Sequence, residues 1–342
     1  MIPREMSKRS LSVLQSFPAP RPTTNPYLRM LADELTTMPG LELHYFSWRQ
    51  ALFGPVDVYH VHWPEILLHG TTAVKQLTKQ GLFILFLIRL SITRTPIVRT
   101  VHNLHRPEGI GRIANLLLTW TDRLTSLQIK LNPATPPCDG IQSVTILHGH
   151  YRRWFGHLNA ERTDPGRLGY VGLIRRYKGV ERLIQTFRET DDEALRLHIA
   201  GSPSTHELAT AMAKQAAGDR RISLDLHFLS DQELVTAVTR TQLVVLPYRF
   251  MHNSGGALAA LSLNRPVLVP DNEVNQRLSQ EVGPGWVLLY QGELSASHLT
   301  SALAASPPAT PAPDLSSREW EPVGRQHLDA YRRAIQIRRD AH

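Results

Sequence analysis

Cysteine is nearly absent. Cys138 stands alone in 342 residues, so the chain can form no internal disulfide and nothing in it calls for an oxidising compartment. Long apolar runs are also missing. The most apolar stretch, Gly81 to Ile92, is too short to cross a bilayer and is interrupted by Arg89. The opening residues Met1 to Phe17 lack the long apolar segment that a cleaved secretory signal requires. No basic run is interleaved with aromatics and no nucleic-acid fold signature is present, so nucleic acid is not expected as a partner and stays a runner-up reading that a salt-dependent gel shift would test. What remains is a chain with 42% hydrophobic content, long enough for two domains with sizeable cores.

The net charge of +8 is unevenly placed. Residues 1–163 hold 18 Lys and Arg against 10 Asp and Glu, and the remainder holds 20 against 20. A basic half beside a neutral half suggests that one domain meets an anionic surface, with anionic phospholipid the first candidate. Scattered solvated cations account for the same count.

Read in order, the first half alternates strands and helices. Strands are expected at 11–17, 41–46, 56–62, 96–102, 124–131 and 143–147, with helices at 28–35, 66–92 and 113–120. Lys75, Lys79, Arg89 and Arg94 punctuate the apolar 66–94 segment, which reads either as an interfacial amphipathic helix or as a core helix with a charged outer face. The second half repeats the rhythm. Strands are expected at 170–174, 195–200, 222–228, 243–247, 266–269 and 286–290, and helices at 180–188, 206–216, 231–239 and 256–263. This pattern predicts an α/β protein with parallel sheets covered on both faces. The domains are expected at 1–163 and 164–317. A Pro- and Ala-rich linker at 306–313 then leads into a helix over 318–338, within a C-terminal segment 318–342.

Tyr170 to Phe187, YVGLIRRYKGVERLIQTF, is the stretch around which the rest is organised. A short β-prone run is followed by Gly179, after which Val180, Leu183, Ile184 and Phe187 fall on one helical face. Arg175, Arg176 and Lys178 lie between strand and helix. At the carboxyl edge of a parallel sheet, beside a helix N-terminus, three cations form a phosphate or diphosphate clamp or else a solvated basic turn. Asn253, Ser254, Gly255 and Gly256 occupy a similar position before another helix and read either as a second phosphate and sugar contact or as a simple tight turn. In the first half, His62 and His102 each end a strand, and a histidine there can act as a base at neutral pH. Glu65 and Glu108 are alternative bases, each in a loop after a histidine motif. His60 and His69 read as histidines hydrogen-bonded into the sheet edge.

These segments carry a resemblance. YVGLIRRYKGVERLIQTF, LHIAGSP, SDQELVTAVTRTQLVVLPYR and NSGGALAALSLNRPVLVP, in that order, resemble the donor-binding domain of GT-B glycosyltransferases of the large family-4 group and span most of 168–270. VYHVHWPE, TVHNLHRPE and VTILHGHY match more loosely, and look like exopolysaccharide enzymes of the xanthan mannosyltransferase type. The resemblance implies two Rossmann-like domains facing across a cleft, with the C-terminal helix crossing back to the first. It also implies metal-independent transfer of a hexose, with no cofactor, from a GDP- or UDP-linked sugar to an acceptor hydroxyl. A lipid-linked saccharide at the cytoplasmic membrane face suits the basic half as acceptor.

Within that family pattern, Arg175 and Lys178 are expected to neutralise the departing diphosphate. The family's arginine follows the loop glycine directly, where this chain has Leu173, so Arg175 must reach in from two residues later. His102 matches a histidine placed near the donor sugar, and His148 one that closes the first domain. The nucleotide base is expected near Leu229 to Glu233. Two family glutamates are replaced by Met251 and Ala259, so the usual sugar contact, ribose anchor and retaining mechanism do not carry over. Glu273 is an alternative ribose contact. The missing carboxylates keep a non-catalytic nucleotide-sugar-binding partner open as a second reading, beside a GT-B epimerase or phosphorylase.

Overall fold

In the computed structural model, residues 10–340 are described except 22, 108 and 306. Glu108 therefore lies outside the described residues. The chain divides into two compact units, Met1–Gly149 with Arg318–His342, and His150–Ser317.

The first unit is built on a parallel sheet of β1 (Leu11–Gln15), β2 (Leu41–His44), β3 (Val58–Val61), β4 (Ile97–Val101), β5 (Thr125–Lys130) and β6 (Gln142–Thr145), in the order 2-1-3-4-5-6. Both faces are covered, and β3 shows how. All four of its residues are buried. Tyr59 and Val61 join Phe83, Phe86, Leu87 and Leu90 of the helix Ala73–Ile92 in one core cluster, whereas His60 reaches Tyr331 of the helix Trp320–Asp340 on the other face. A strand enclosed on both sides has no polar face, so the alternation seen in half-exposed strands is absent from its sequence.

The second unit has β7 (Arg167–Val171), β8 (Arg196–Ala200), β9 (Ile222–Asp225), β10 (Leu243–Val245), β11 (Val267–Pro270) and β12 (Val287–Tyr290), in the order 12-11-10-7-8-9. Strand order reverses between β1 and β3 in the first sheet and between β7 and β10 in the second. In open α/β sheets the crevice outside the carboxyl ends of such strands is where ligands bind. The loops after β1, β3 and β4, and after β7 and β10, therefore lie at the ligand-binding edge of their respective sheets.

Several expected bounds shift. The strand at 170–174 is β7, Arg167–Val171; beyond it the chain turns at Gly172, and Ile174 makes only an isolated bridge with Pro203. The segment 66–92 is two helices, Glu65–Leu68 and Ala73–Ile92, because His69 is extended and Thr72 caps the second with its side chain on Lys75 N. Helices Trp48–Phe53, Glu273–Val282 and Ala296–Ala304, not expected from the sequence, each start on a serine or asparagine cap.

The expected boundary at 163/164 moves to 149/150. Residues 150–163 are tied to the second unit: Tyr151 N donates to Ser262 Oγ at 2.8 Å, Glu161 N to Thr239 Oγ1 at 2.9 Å and Asn159 N to Gln232 Oε1 at 3.1 Å. The C-terminal helix Trp320–Asp340 packs in the first unit, against the helix Pro26–Thr37 and β3 to β5. Gly324 permits that approach, since a Cβ there would lie 2.7 Å from Glu34 Cγ. Buried Arg318 anchors the return by donating to His148 O at 3.1 Å.

Candidate functional site

In the first unit, the ends of β1, β3 and β4 bring together a buried network of histidines. His62 Nδ1 lies 3.0 Å from His102 Nε2, and His62 Nε2 lies 3.2 Å from Gln15 Oε1. His60 bonds to Tyr331 Oη and to Thr100 Oγ1, each at 2.8 Å. Trp63 stacks on His102 with ring centroids 3.9 Å apart, and Tyr27 packs edge-on to His102 and against His148. His102 alone among His60, His62, His102, His148 and His327 keeps appreciable accessible surface.

Burial disfavours the imidazolium in all five. It pushes His62 down to about 3 and His148 and His327 to about 4, and it holds His60 and His102 well below the usual histidine range. Neighbouring His62 and His148 add to the effect at His102. All five are therefore neutral at physiological pH. Glu65 opens the helix Glu65–Leu68, and burial raises its carboxyl, opposed by Arg99 and Arg106. Arg99 and Arg106 both pair with Asp122. His60 is fully buried with both ring nitrogens bonded, and His69 is exposed in the loop before Thr72.

In the second unit, the loop after β7 carries the expected cations. Arg175 Nη1 donates to Ile174 O at 2.9 Å, which lays the guanidinium along the sheet edge. Lys178 Nζ donates to Leu173 O at 2.8 Å and lies 5.2 Å from the centre of the Tyr248 ring. An ammonium has three donors, and Leu173 O takes one of them. Burial, with Arg175 nearby, pushes Lys178 down to about 8. Arg176 is different: its side chain is 69% exposed and pairs with Glu181 at 3.7 Å, the arrangement of a solvated turn. Gly179 adopts a left-handed φ of 68°, and a Cβ there would sit 2.3 Å from Pro247 O, so only glycine lets this loop close against β10.

The loop after β10 lies beside it in the sheet order. Ser254 caps the helix Gly255–Ser262 by accepting from Ala257 N at 3.1 Å, which holds Gly255 and Gly256 in its first turn next to Asn253. Met251, at one lost glutamate position, is buried, with its carbonyl accepting from Asn272 Nδ2 and its sulfur 3.5 Å from Asn275 Nδ2. Ala259 stands partly exposed in the following helix. Leu229 and Glu233 line a cavity of about 250 Å³ together with Asp225, His198, His227 and Gln232. The Glu233 carboxylate closes a capping box with Ser230 N and Oγ at 2.7 Å. Glu273 sits on the exposed side of its helix, paired with Arg277 at 2.9 Å.

Gln15 and Tyr331 are the network members that sequence reasoning passed over. Gln15 had a signal, a glutamine closing the largely apolar strand LSVLQ. Tyr331 had none, because its partners are 271 and 316 positions away. Among the described residues, no group of three or more His, Cys, Asp or Glu is arranged to hold a metal ion.

Three comparisons bear on this arrangement. Residues 165–303 match the family model "Glycosyl transferases group 1". The chain is 44% identical over 336 residues to the GDP-mannose:glycolipid 4-beta-D-mannosyltransferase of Xanthomonas campestris pv. campestris, covering 98% of this chain and 95% of that protein. Among solved structures it resembles HepE of Anabaena in complex with UDP, at TM-score 0.58 and 12% identity, covering 97% of this chain and 98% of the other. It also resembles the sucrose-phosphate synthase of Thermosynechococcus elongatus, at TM-score 0.57 and 13% identity, covering 96% and 97%. The structural matches establish the GT-B fold.

Proposed function

The chain belongs to the group 1 glycosyltransferases of GT-B fold, and on that premise we propose that it transfers mannose from a GDP-linked donor to a lipid-linked saccharide. The observation that carries the proposal is the identity to a GDP-mannose:glycolipid mannosyltransferase along nearly the whole chain. A hexosyltransferase accounts for that match; a non-catalytic binding partner does not.

The site residues support a division of labour. Arg175 and Lys178, with the first amides of the helix Gly255–Ser262, offset the charge of the departing diphosphate without calling on a metal. Ser254 orders that second loop by capping the helix, with Asn253 next to it in the chain. The 250 Å³ cavity at Leu229 and Glu233 suits a nucleobase in size. A β-linked product from an α-linked nucleotide sugar inverts C1, so one displacement and one base suffice, and no carboxylate is required where Met251 and Ala259 stand. His102 takes the proton of the acceptor hydroxyl, His62 orients it, and Glu65 is the alternative base.

Arg175→Ala and Lys178→Ala are each expected to lower kcat/KM for GDP-mannose at least tenfold, or about 1.4 kcal/mol of barrier, with an unchanged melting temperature. The pH profile separates the two cations. Lys178 is charged below its value of about 8 and loses its proton above it, so kcat/KM should fall as pH rises through 8. In Lys178→Arg that limb should vanish. Near-normal kinetics in both alanine variants would remove the clamp.

We further propose that the first unit docks peripherally on an anionic membrane, at the cytoplasmic face where nucleotide sugars are available. Val74, Leu77, Gly81, Leu85, Ile88 and Ile92 form one exposed stripe along the helix Ala73–Ile92, at the three-and-four spacing of a helical face. Its opposite face carries buried Phe83, Phe86, Leu87 and Leu90. Exposed Ile113 and Leu116 lie on the neighbouring helix Arg112–Leu124, and Lys75 and Arg112 are also exposed. Arg89 belongs elsewhere: it turns inward to the carbonyls of Ala51 and Gly54, ending the helix Trp48–Phe53. Among the described residues no helix is long and apolar enough to cross a membrane. Leu77→Glu with Ile88→Glu should lower flotation with phosphatidylglycerol vesicles about tenfold or more, since each substitution replaces an insertable side chain by a charge. Equal flotation of variant and parent would exclude this face.

A further inference from the structure

At the edge of the first sheet opposite His62 and His102, where β1, β3 and β4 begin, lies a cavity of about 570 Å³. Arg94, Arg338 and Arg339 line it together with Asp57, Thr95 and Ile335. The helix Trp320–Asp340 turns Ile335, Arg338 and Arg339 to one face, at the three-and-four spacing. Earlier arginines of that helix are paired: Arg325 with Glu321, Arg332 with Asp329 and Arg333 with Gln142. Among the described residues, the side chains of Arg94, Arg338 and Arg339 make no ion pair. Arg338 Nε is buried without a hydrogen-bond partner, so this guanidinium is incompletely solvated where it stands. Asp57 is the only acid among the described lining residues, and its Oδ2 already accepts from Ser12 N at 2.9 Å.

Arg94 is strained at this place. It follows the helix Ala73–Ile92 and its cap Thr93 with a left-handed φ of 54°. Arg94 N donates to Ser91 O at 3.3 Å and Thr95 N to Leu90 O at 3.0 Å, a helix ending in which glycine is the usual residue. Glycine would adopt this backbone freely but would bring no cation to the cavity.

We propose that this cavity takes the phosphate of an anionic phospholipid headgroup. The proposal rests on the docking of the helix Ala73–Ile92 on a membrane and adds the groups that hold a headgroup once the helix lies there. Guanidinium donors form a fork that matches phosphate oxygens two at a time. Three arginines less one aspartate leave the wall at +2, enough to offset a phosphodiester. Position selects the source of the phosphate. Ile92, 76% exposed, ends the apolar stripe, and Thr93 and Arg94 on the cavity wall follow it directly in the chain. With Ile92 at the acyl boundary, Arg94 stands at headgroup level. A site for a free phosphate compound needs no such neighbour. His62 and His102 follow the other ends of β3 and β4, so a headgroup bound here anchors the unit without occupying their site.

The test is flotation of the full chain with vesicles of phosphatidylglycerol in phosphatidylcholine, beside titration with glycerol 1-phosphate, which carries the phosphate without acyl chains. Arg338→Gln with Arg339→Gln should lower flotation about tenfold or more. Arg94→Gly should lower it about fivefold at an unchanged or higher melting temperature, because glycine relieves the left-handed strain. Arg325→Gln with Arg332→Gln removes the same charge from the same helix and should stay within about twofold of the parent. Equal losses in the two double variants would mean that charge alone counts, and overturn the cavity. Parent-like flotation in Arg338→Gln with Arg339→Gln, while Leu77→Glu with Ile88→Glu no longer floats, overturns the headgroup site and leaves the docking face standing. A parent that does not float overturns both. Glycerol 1-phosphate binding that is lost in Arg338→Gln with Arg339→Gln, with flotation unchanged, assigns the cavity to a free phosphate compound and overturns the lipid.

Discussion

Replacing His102 by glutamine is expected to lower kcat about a hundredfold or more, the usual span for removing a general base. KM for the donor and the melting temperature should change little. Glutamine is chosen because its amide N–H can take over the bond to His62 Nδ1 that His102 Nε2 now makes at 3.0 Å, so packing against Trp63 and the bond behind it persist while the basic nitrogen is lost. His102 is held well below the usual histidine range by burial and by His62 and His148, so it is neutral at any physiological pH but weak as a base. Such a base acts late. The acceptor hydroxyl is not deprotonated beforehand but gives up its proton as its oxygen bonds to C1 and becomes strongly acidic. As long as the first unit stays folded, the acidic side of the kcat/KM profile should accordingly show no limb near pH 6.5, leaving the Lys178 limb near 8 as the principal feature. A steep acid limb centred near 6.5 would point to a solvated histidine and against this geometry.

Acidification is expected to unfold the first unit long before ordinary acid denaturation. His62 is pushed down to about 3, and His148 and His327 to about 4, while an unfolded histidine titrates near its usual 6.5. Between those values the unfolded chain binds protons that the folded chain refuses. Stability therefore falls as pH falls, by up to about 1.4 kcal/mol per pH unit for each group. Above 6.5 there is no penalty, and it builds from there down to each folded value. At about pH 5.5 the three together should cost on the order of 4 kcal/mol, and more at pH 5, against a typical domain stability of about 5–15 kcal/mol. Urea titrations followed by tryptophan fluorescence are suited to the measurement, because Trp48, Trp63, Trp120 and Trp320 lie in the first unit and only Trp154 and Trp286 in the second. Equal midpoints at pH 7.5 and 5.5 would show that these histidines are solvated in the native state. His327→Gln should lessen the slope by about one group's share.

The fold was legible because its signals are local. Apolar runs such as LVVLP and β-prone ones such as SVTIL, broken by Gly, Pro and capping residues, mark strands and helices wherever the chain goes, and their strict alternation dictates parallel sheets. The loop of Arg175 and Lys178 was legible for the same reason, since a strand, a cation cluster and a helix start sit within one short stretch. Errors gathered where a local pattern had two solutions. Arg176 and Lys178 look alike in sequence, yet one pairs with Glu181 in solvent and the other bonds to Leu173 O beside Tyr248. Arg89 reads as one more charge on a surface helix, and the fold turns it onto the end of another helix.

By itself, then, the sequence determined the alternating α/β order, the two parallel sheets and the residue types available at their carboxyl edges. Only the tertiary structure decided that residues 150–163 side with the second unit, that the helix Ala73–Ile92 is apolar on its outer face as well as its inner one, and that Gln15, His62, His102 and Tyr331 share one network of hydrogen bonds. The reason is physical. Secondary structure follows from neighbours a few positions apart, whereas a buried polar side chain bonds to whichever partners the folded chain packs around it, and those can be hundreds of residues away in sequence.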